Sequence, residues 1–423
     1  PGAFSMKGGG ILENLADSLT RSGTIGLDMI TQNLNFLTAL TGEAPNGTIV
    51  IPDSMNLKAR VELKGPEYKA NLHLKQGQGS MGVNAELNTS TEAYAADLKI
   101  DNLQLHNFLP KDSIYELSLS ADAKGRGLDV MSYRALAKLN LSLDQLHYAR
   151  YQLSNVHLTG ALKGALVTAN LTSDNALLKM TTDAEYNLAH RYPDGKVTVD
   201  VTQLDLHELG LMPQPMKRPL AFNLSAEARQ NRVFTHLTSG DMKLNLSARS
   251  GVNSLISQST HFMDVLMKQI DEKALNHAEL REALPTAILS FSAGKENPLA
   301  YFLATKNISY HDVSMKFGTA PDWGINGKAA VHALKMDTLQ LDTIFFTVKQ
   351  DTTLMKLRAG VINGPKNPQF SFATTLTGEI RDRDAELLVD YKNGKGETGV
   401  LLGVNARPLF EGHGKGNGIA FTL

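Results

Sequence analysis

The chain has no cysteine, few aromatic residues and no excess of either charge. Without cysteine it has no disulfide bond, no thiol nucleophile and no thiolate metal site, which fits an oxidising envelope compartment. Its 423 residues carry a net charge of −1, so no bulk attraction to nucleic acid or anionic lipid is expected. Aromatic residues make up only 6%, with a single tryptophan, Trp323, so the interior must be aliphatic.

Long apolar runs are absent as well. No stretch reaches the roughly eighteen apolar residues of a membrane-spanning helix, and no signal peptide is recognisable. The chain begins with Pro1 and ends in the alternating segment GIAFTL. We therefore expect an internal piece of a longer protein, whose targeting segment and membrane anchor lie outside it.

One phrase is repeated. LKIDNLQL at Leu98–Leu105 returns as LKMDTLQL at Leu334–Leu341, and a looser copy, VDVTQLDL, lies at Val199–Leu206. A step of three inside an alternating strand turns its second half over, unless a β-bulge absorbs the extra residue. We predict such bulges near Asp101–Asn102, Thr202–Gln203 and Asp337–Thr338. Each copy then places four apolar residues on one face: Leu98, Ile100, Leu103 and Leu105; Val199, Val201, Leu204 and Leu206; Leu334, Met336, Leu339 and Leu341.

Periodicity divides the chain into four predicted parts. Apolar stripes in Ile11–Leu19 and Thr24–Leu40 predict a helical segment over residues 1–45. Residues 46–250 alternate apolar and polar side chains and are expected to be β repeats. Residues 251–306 are expected to be a helical insert, and residues 307–423 a continuation of the β-sheet.

The alternating strands carry Lys, Asn, Thr, Ser and Glu on one face and apolar residues on the other. No amphipathic helices alternate with them, so a parallel doubly wound sheet is not expected. We predict a mainly β fold: an elongated, curled, mostly antiparallel sheet with an open apolar groove, plus a few amphipathic helices. The twelve apolar residues of the repeated phrase are expected to line that groove.

The predicted insert contains a long helix, Asn253–Lys273. Its apolar stripe of Leu255, Phe262, Leu266 and Ile270 needs a cover, and two hypotheses remain open. The helix either forms a lid over the groove or closes the end of the sheet. NHAE at Asn276–Glu279 has capping-box spacing for a second helix, and Asn297-Pro298 predicts the start of a third.

Motifs for catalysis, metals and cofactors lack their required context. The glycines of GQGSMG (77–82) are followed by a strand, so a hairpin turn is expected rather than a dinucleotide site. The twelve histidines are scattered, and no metal site or cofactor is expected. Convergent carboxylates are invisible in a single sequence, so Asp382, Asp384, Glu386 and Asp390 stay open as a possible pair. With that reservation, we expect that the protein is not an enzyme.

One passage supports a family resemblance. LQLHNFLPKDSIYELSLSADAKGRGLD, at Leu103–Asp129, resembles the AsmA-like repeats of the TamB (translocation and assembly module) family in its Bacteroidota form. The resemblance continues through HYARYQLSNVHLTGALKG and LPTAILSFSAGKENPLAYFLATKNISY to LDTIFFTVKQD and VINGPKNPQFSF. It covers nearly all of the chain and is weakest over residues 1–44. The family's membrane anchor and its carboxy-terminal domain have no counterpart here.

The resemblance implies a function in the cell envelope. The family is similar to bridge-like lipid transfer proteins, whose curled sheets hold acyl chains in an apolar groove. It implies a periplasmic protein, anchored in the inner membrane by a segment outside this chain, that moves phospholipid or supports outer-membrane protein assembly. The implied partners are phospholipid acyl chains and an outer-membrane barrel protein bound through a region outside this chain, with no nucleic acid. The alternatives are a β-rich adhesin or binding module and a carbohydrate-active enzyme on a β scaffold.

Overall fold

The computed structural model of the protein describes residues 4–31, 50, 52, 54–212, 215, 219–272, 275–382, 384–409 and 418–422. The described residues form 26 strands and three α-helices, with a short 3-10 helix at Leu105–Asn107. Strands contain 62% of the residues, and the strands within each unit pair in antiparallel fashion. The predicted mainly β fold class is therefore confirmed. The chain divides into two compact units, which are described separately.

The first unit comprises Pro1–Arg191 and Val199–Pro219. Its strands are β1 (Phe4–Glu13), β2 (Ser22–Thr31), β3 (Met55–Lys64), β4 (Glu67–Gln76), β5 (Gly79–Asn88), β6 (Ala93–Gln104), β7 (Ile114–Arg126), β8 (Leu136–Tyr148), β9 (Tyr151–Leu153), β10 (Val156–Lys163), β11 (Leu166–Asp174), β12 (Leu178–Asn187) and β13 (Gly195–Leu204), of which residues 199–204 belong to this unit.

The second unit comprises Tyr192–Thr198 and Leu220–Leu423. It contains β14 (Leu220–Arg229), β15 (Arg232–Ser239), β16 (Met242–Ala248), α1 (Val252–Asp271), α2 (His277–Glu282), β17 (Ala287–Ala293), α3 (Pro298–Ala304), β18 (Ile308–Ser309), β19 (Asp312–Ala320), β20 (Gly324–Met336), β21 (Leu339–Gln350), β22 (Met355–Asn363), β23 (Phe372–Ile380), β24 (Ala385–Asn393), β25 (Thr398–Leu409) and β26 (Gly418–Thr422).

Each unit is a meander in which consecutive strands pair. In the first unit β1 to β8 pair in chain order, and β8 then pairs with both β9 and β10. In the second unit β17 pairs with β19, and β20 pairs with both β18 and β19. Among the described residues β1 pairs only with β2, and β26 only with β25, so the sheet is open at these strands.

The helical prediction for residues 1–45 is wrong wherever the structure describes them. Phe4–Glu13 and Ser22–Thr31 form an antiparallel hairpin, and Leu15 and Leu19 of the predicted stripe are exposed in the connecting turn. The two strands contain five glycines, at positions 8–10, 23 and 26, and each costs a helix about 1 kcal/mol relative to alanine. The rest of the second predicted helix, residues 32–40, lies outside the described residues.

The bulge predicted near Asp101–Asn102 is confirmed. The pairing of β6 with β7 shifts between Ile100 and Leu103, and Asn102 has a positive φ of 46°. Because two residues of β6 leave the ladder, Leu103 returns to the face that carries Ile100. Both side chains are buried in one cluster with Met55 and Leu74.

The bulge predicted near Asp337–Thr338 is wrong, because these residues form a hairpin turn. β20 ends at Met336, β21 begins at Leu339, and these two residues pair directly. Asp337 has φ of 48°, which suits a tight hairpin. In the remaining copy, strand β13 ends at Leu204, whereas Leu206 lies in the turn that follows. The bulge predicted at Thr202–Gln203 stays a prediction.

The three helices of the insert are confirmed with their predicted caps. The Asn276 side chain accepts a hydrogen bond from the Glu279 amide at the start of α2, at 3.1 Å. Asn297 does the same for the Ala300 amide of α3, which begins with Pro298, at 2.9 Å. The insert also contains a strand, β17, and the four predicted domain boundaries stay a prediction.

Candidate functional site

A continuous apolar face crosses the first unit. Residues directly opposite each other in an antiparallel pair share a face, so the registers can be followed from strand to strand. One row of such partners is apolar from β1 to β10: Met6, Met29, Leu57, Leu74, Met81, Ile100, Leu119, Leu143 and Val156. The next row is also apolar from β2 to β11: Leu27, Ala59, Leu72, Val83, Leu98, Ala121, Leu141, Leu158 and Leu171.

A line of small residues follows on the same face. It runs through Ala70, Ala85, Ala96 and Ala123 on β4 to β7. The row beyond it is larger again, with Tyr68, Leu87 and Tyr94 directly opposite one another. On β4 to β6 the alanines therefore form the floor of a furrow between two rows of larger side chains. We call this line of four alanines the alanine furrow.

The other face of the same strands is polar. Its cross-strand partners are complementary, with Lys69 Nζ 2.9 Å from Glu86 Oε1 and Asn71 Nδ2 2.8 Å from Asn84 Oδ1. Asn140 likewise donates to Asp122. Asn140 thus forms a cross-strand hydrogen bond on the polar face.

Exposure changes along the strands of the apolar face. The first row is covered in its middle, where Leu74 is 7% exposed and Leu105 and Phe108 from the segment after β6 pack onto the same cluster, whereas Met6 at its β1 end is 58% exposed. The four alanines are half-buried, and Val61, directly opposite Ala70, is 43% exposed. The described part of the face is therefore closed at its base and less covered beyond it.

The second unit also has an apolar face, and this one carries the phenylalanine rings of Phe291, Phe317 and Phe346. One row runs through Leu224, Leu237, Leu244, Phe291, Met315, Ala329, Phe346, Ala359, Leu376 and Val389. The Phe317 ring occupies the space where a side chain at Gly327 would lie, and it stacks on Phe346 with centroids 6.4 Å apart. No line of alanines corresponds to that of the first unit in these rows.

Helices α1 and α2 lie at one end of the second unit's strands. Val265, Leu280 and Ala283 form a buried cluster with Met355, the first residue of β22. His277 Nε2 lies 3.1 Å from the Ile380 carbonyl oxygen, and the Leu275 amide donates to the Asp382 carbonyl. These contacts are with strand ends, which is the end-closing arrangement rather than a lid over the face.

The predicted stripe of α1 is only partly covered. Phe262 and Leu266 pack against the buried cluster, and Leu255 is half-buried. Ile270 is exposed, as are Ile256, Met263 and Met267 on the same side of the helix.

The twelve predicted groove residues have different surroundings. In the first copy Leu98 and Ile100 belong to the apolar rows, and Leu103 and Leu105 pack at the closed base. In the second copy Val201 is buried, while Val199, Leu204 and Leu206 are half-buried.

The third copy does not belong with the other two. Leu334 faces Leu341, and Met336 faces Leu339, across the hairpin. Strict alternation along β21 puts Leu339 and Leu341 on the face opposite Ile344 and Phe346. The groove assignment for this copy is therefore corrected. The alanine furrow, which the sequence reading missed, is visible only once the register is known.

The carboxylates left open by the sequence lie near an exposed ion-pair network. Glu386 is directly opposite Glu379 and lies 3.4 Å from Arg381 Nη1, while Asp390 pairs with Lys392 at 3.5 Å. The hydrogen bond from Lys356 holds the pKa of Glu379 below its usual value. Glu379 and Glu386 thus belong to surface ion pairs with Lys356 and Arg381.

Other motifs are placed in turns or carry no ligand geometry. Gly77 of GQGSMG has φ of 60° in the hairpin between β4 and β5, as expected. Within the described ranges, no three His, Asp or Glu side chains are arranged to hold a metal ion. In the same part of the chain, no helix combines the length and apolar character needed to span a membrane.

Comparisons with known proteins identify no relative, since no family model, no curated protein and no solved structure matches the chain.

Proposed function

We propose that the apolar face of the first unit carries phospholipid acyl chains. The alanine furrow, a half-buried line of small side chains on a continuous apolar face, is the observation on which this proposal depends. An exposed apolar surface of this extent is unfavourable in water and is typical of a binding surface. A ligand with long hydrocarbon chains matches its chemistry better than a sugar or a nucleotide does.

The dimensions of the furrow support this ligand class. The hydrocarbon core of a bilayer is about 30 Å thick, so one acyl chain spans about 15 Å. Strands are spaced about 4.8 Å apart, so the three spacings between Ala70 and Ala123 cover about 14 Å. One acyl chain therefore fits across β4 to β7.

The proposed mechanism is passive carriage. Each methylene group kept from water contributes about 0.8 kcal/mol, so the face replaces the bilayer around the chain while the headgroup stays in water. No proton transfer or covalent step is involved, so the protein acts as a carrier and not as an enzyme.

The cellular setting rests on the resemblance to the AsmA-like, TamB family. On that basis we place the protein in the periplasm, between inner and outer membranes, with an anchor outside this chain. A contribution to outer-membrane protein assembly through a barrel partner rests on the same resemblance, and the apolar face favours lipid carriage as the primary role.

Site-specific photo-crosslinking tests the proposal. Leu98 lies on the apolar face and its neighbour Lys99 on the polar face, so the two positions form a matched pair on one strand. A photo-reactive residue at position 98 is expected to capture phospholipid from the expressing cell, as detected by mass spectrometry. The same residue at position 99 is expected to capture none.

Equal capture at the two positions would contradict the assignment of faces. Absence of lipid at both positions, in a protein that melts normally, would contradict lipid carriage itself.

A further inference from the structure

A shallow cavity of about 460 Å³ lies beside the polar face of the second unit. Three lysines line it from successive strands: Lys316 of β19, Lys328 of β20 and Lys349 of β21. The indole of Trp323, in the turn between β19 and β20, forms another part of the wall. The strand order thus brings three cations and one aromatic ring to a single place.

The lysines lack the compensation found elsewhere on the polar faces. Lys316 and Lys328 are directly opposite each other in the register, an arrangement in which like charges are destabilising. In the described part of the chain none of the three forms an ion pair, whereas nearby Lys356 lies 3.0 Å from Glu379. The pKa of Asp351 is lowered chiefly by the hydrogen bond from the Thr352 amide, with a smaller contribution from the charge of Lys349.

The ring of Trp323 is held against the sheet and remains accessible. It lies over Gly318, where a Cβ atom would approach Trp323 Cη2 to 2.7 Å, so the glycine allows this close approach. Asn326 Nδ2 donates to the Trp323 carbonyl oxygen at 3.1 Å and fixes the turn. The side chain is 42% exposed, which leaves ring surface free for a ligand.

We propose that this cavity binds a small anion carrying a ring, such as the phosphate ester of an aromatic or sugar alcohol. The anion lies between Lys316 and Lys328, where it offsets their repulsion and accepts charge-assisted hydrogen bonds. The ring lies against Trp323, since indole faces bind both aromatic and sugar rings through dispersion. The site is made by the polar side of the strands and is independent of the proposed lipid function.

The single tryptophan provides a specific readout. Trp323 is the only one in the chain, so one indole N–H signal in a nitrogen–proton correlation spectrum reports on the cavity alone. We expect phenyl phosphate to displace this signal saturably at low ionic strength. Lys316→Gln combined with Lys328→Gln is expected to weaken binding about tenfold, since it removes two cationic donors.

The matched control is a second pair of opposed lysines. Lys124 and Lys138 face each other in the first unit, so Lys124→Gln with Lys138→Gln removes the same charge from residues that do not line the cavity. This control is expected to leave the binding of phenyl phosphate unchanged, and melting temperatures confirm that both double variants fold. Inorganic phosphate tests the anion without a ring, and glucose 6-phosphate tests a sugar in place of an aromatic ring.

Tighter binding of either ring-bearing phosphate than of inorganic phosphate supports the proposal and identifies the ring. No saturable displacement by any of the three compounds would overturn it. Equal weakening by the two double variants would also overturn it, because only the overall charge would then matter. Equal affinity for all three compounds would overturn the role of Trp323.

Discussion

The two units present the same strand pattern but fill their apolar faces differently. In the first unit, Ala70, Ala85, Ala96 and Ala123 leave a furrow, and the covering side chains found among the described residues gather at the base around Leu103. In the second unit, the Phe317 ring lies over Gly327 on the face, and α1 and α2 close one strand end. Alternation alone therefore makes a one-sided sheet, and side-chain size decides whether its face can take a ligand.

The largest expected change in unfolding free energy comes from disrupting the helix contacts of the second unit. Val265 of α1 is 6% exposed and its helix neighbour Met263 is 49% exposed. Val265→Asp is expected to cost roughly 3–5 kcal/mol of unfolding free energy, because it buries an unpaired charge. Met263→Asp is expected to stay within about 0.5 kcal/mol. Denaturant unfolding of both variants measures the difference.

A small cost for Val265→Asp together with a changed lipid content would contradict the end-closing role. That result would restore the lid hypothesis for α1.

The next comparison uses corresponding leucines of the repeated phrase. Leu103 is buried at the base of the first unit's face, and Leu339 is exposed beside the hairpin turn of the second unit. Leu103→Ala is expected to cost about 2–4 kcal/mol by leaving a cavity. Leu339→Ala is expected to cost less than about 1 kcal/mol, since water already reaches the side chain. Equal losses in denaturant unfolding would show that both copies serve the same structural role.

How tightly side chains pack on each apolar face can be tested by substitutions that add methyl groups. Gly327→Ala places a carbon where the Phe317 ring lies, so overpacking is expected to cost about 1–3 kcal/mol. Ala96→Val adds bulk to the alanine furrow and is expected to stay within about 0.5 kcal/mol. Thermal unfolding distinguishes the two, and a large loss for Ala96→Val would mean that the furrow is already filled.

The sequence predicted part of this contrast, and the missing part has a physical reason. The bulge at Asp101–Asn102, the three helices and the cap at Asn276 depend on local spacing, and they were found. The hairpin at Asp337–Thr338 was missed because an identical apolar spacing fits both a bulged strand and a turn. The alanine furrow depends on which residues lie opposite one another, and register is set by pairing between strands.

The hairpin of β1 and β2 was not predicted from the sequence, for another reason. The apolar stripe at Ile11–Leu19 matched helical spacing, although Gly8–Gly10 beside it disfavour a helix and Ile25, Leu27 and Met29 alternate with the period of a strand. The glycines and the two-residue period of Ile25, Leu27 and Met29 both favour the strands that form.

The smallest expected effect concerns pH and the polar face of the second unit. His332 Nδ1 lies 2.7 Å from Asp312 Oδ2, and this hydrogen bond, with a further one from His311, lowers the pKa of Asp312 below 3.8. The carboxylate therefore stabilises the fold above about pH 3.8, and this stabilisation is lost as the pH falls through the lower folded-state value.

Asp312→Asn is expected to destabilise the protein by no more than about 0.5 kcal/mol at pH 6, because the group is well exposed. The difference from the unmodified protein is expected to vanish near pH 2 in thermal melts. A difference that grows as the pH falls would contradict the assigned direction of the shift.

Phospholipid content of the purified protein tests the central claim most directly. Lipid extraction and mass spectrometry are expected to find phospholipid bound to the unmodified chain. Ala85→Phe with Ala96→Phe fills the alanine furrow and is expected to remove most of it. Asn84→Phe with Asp97→Phe adds the same rings to the polar face, on the same two strands, and is expected to leave it in place. Absence of phospholipid from the unmodified chain, or equal loss in both double variants, would contradict the claim that this face carries lipid.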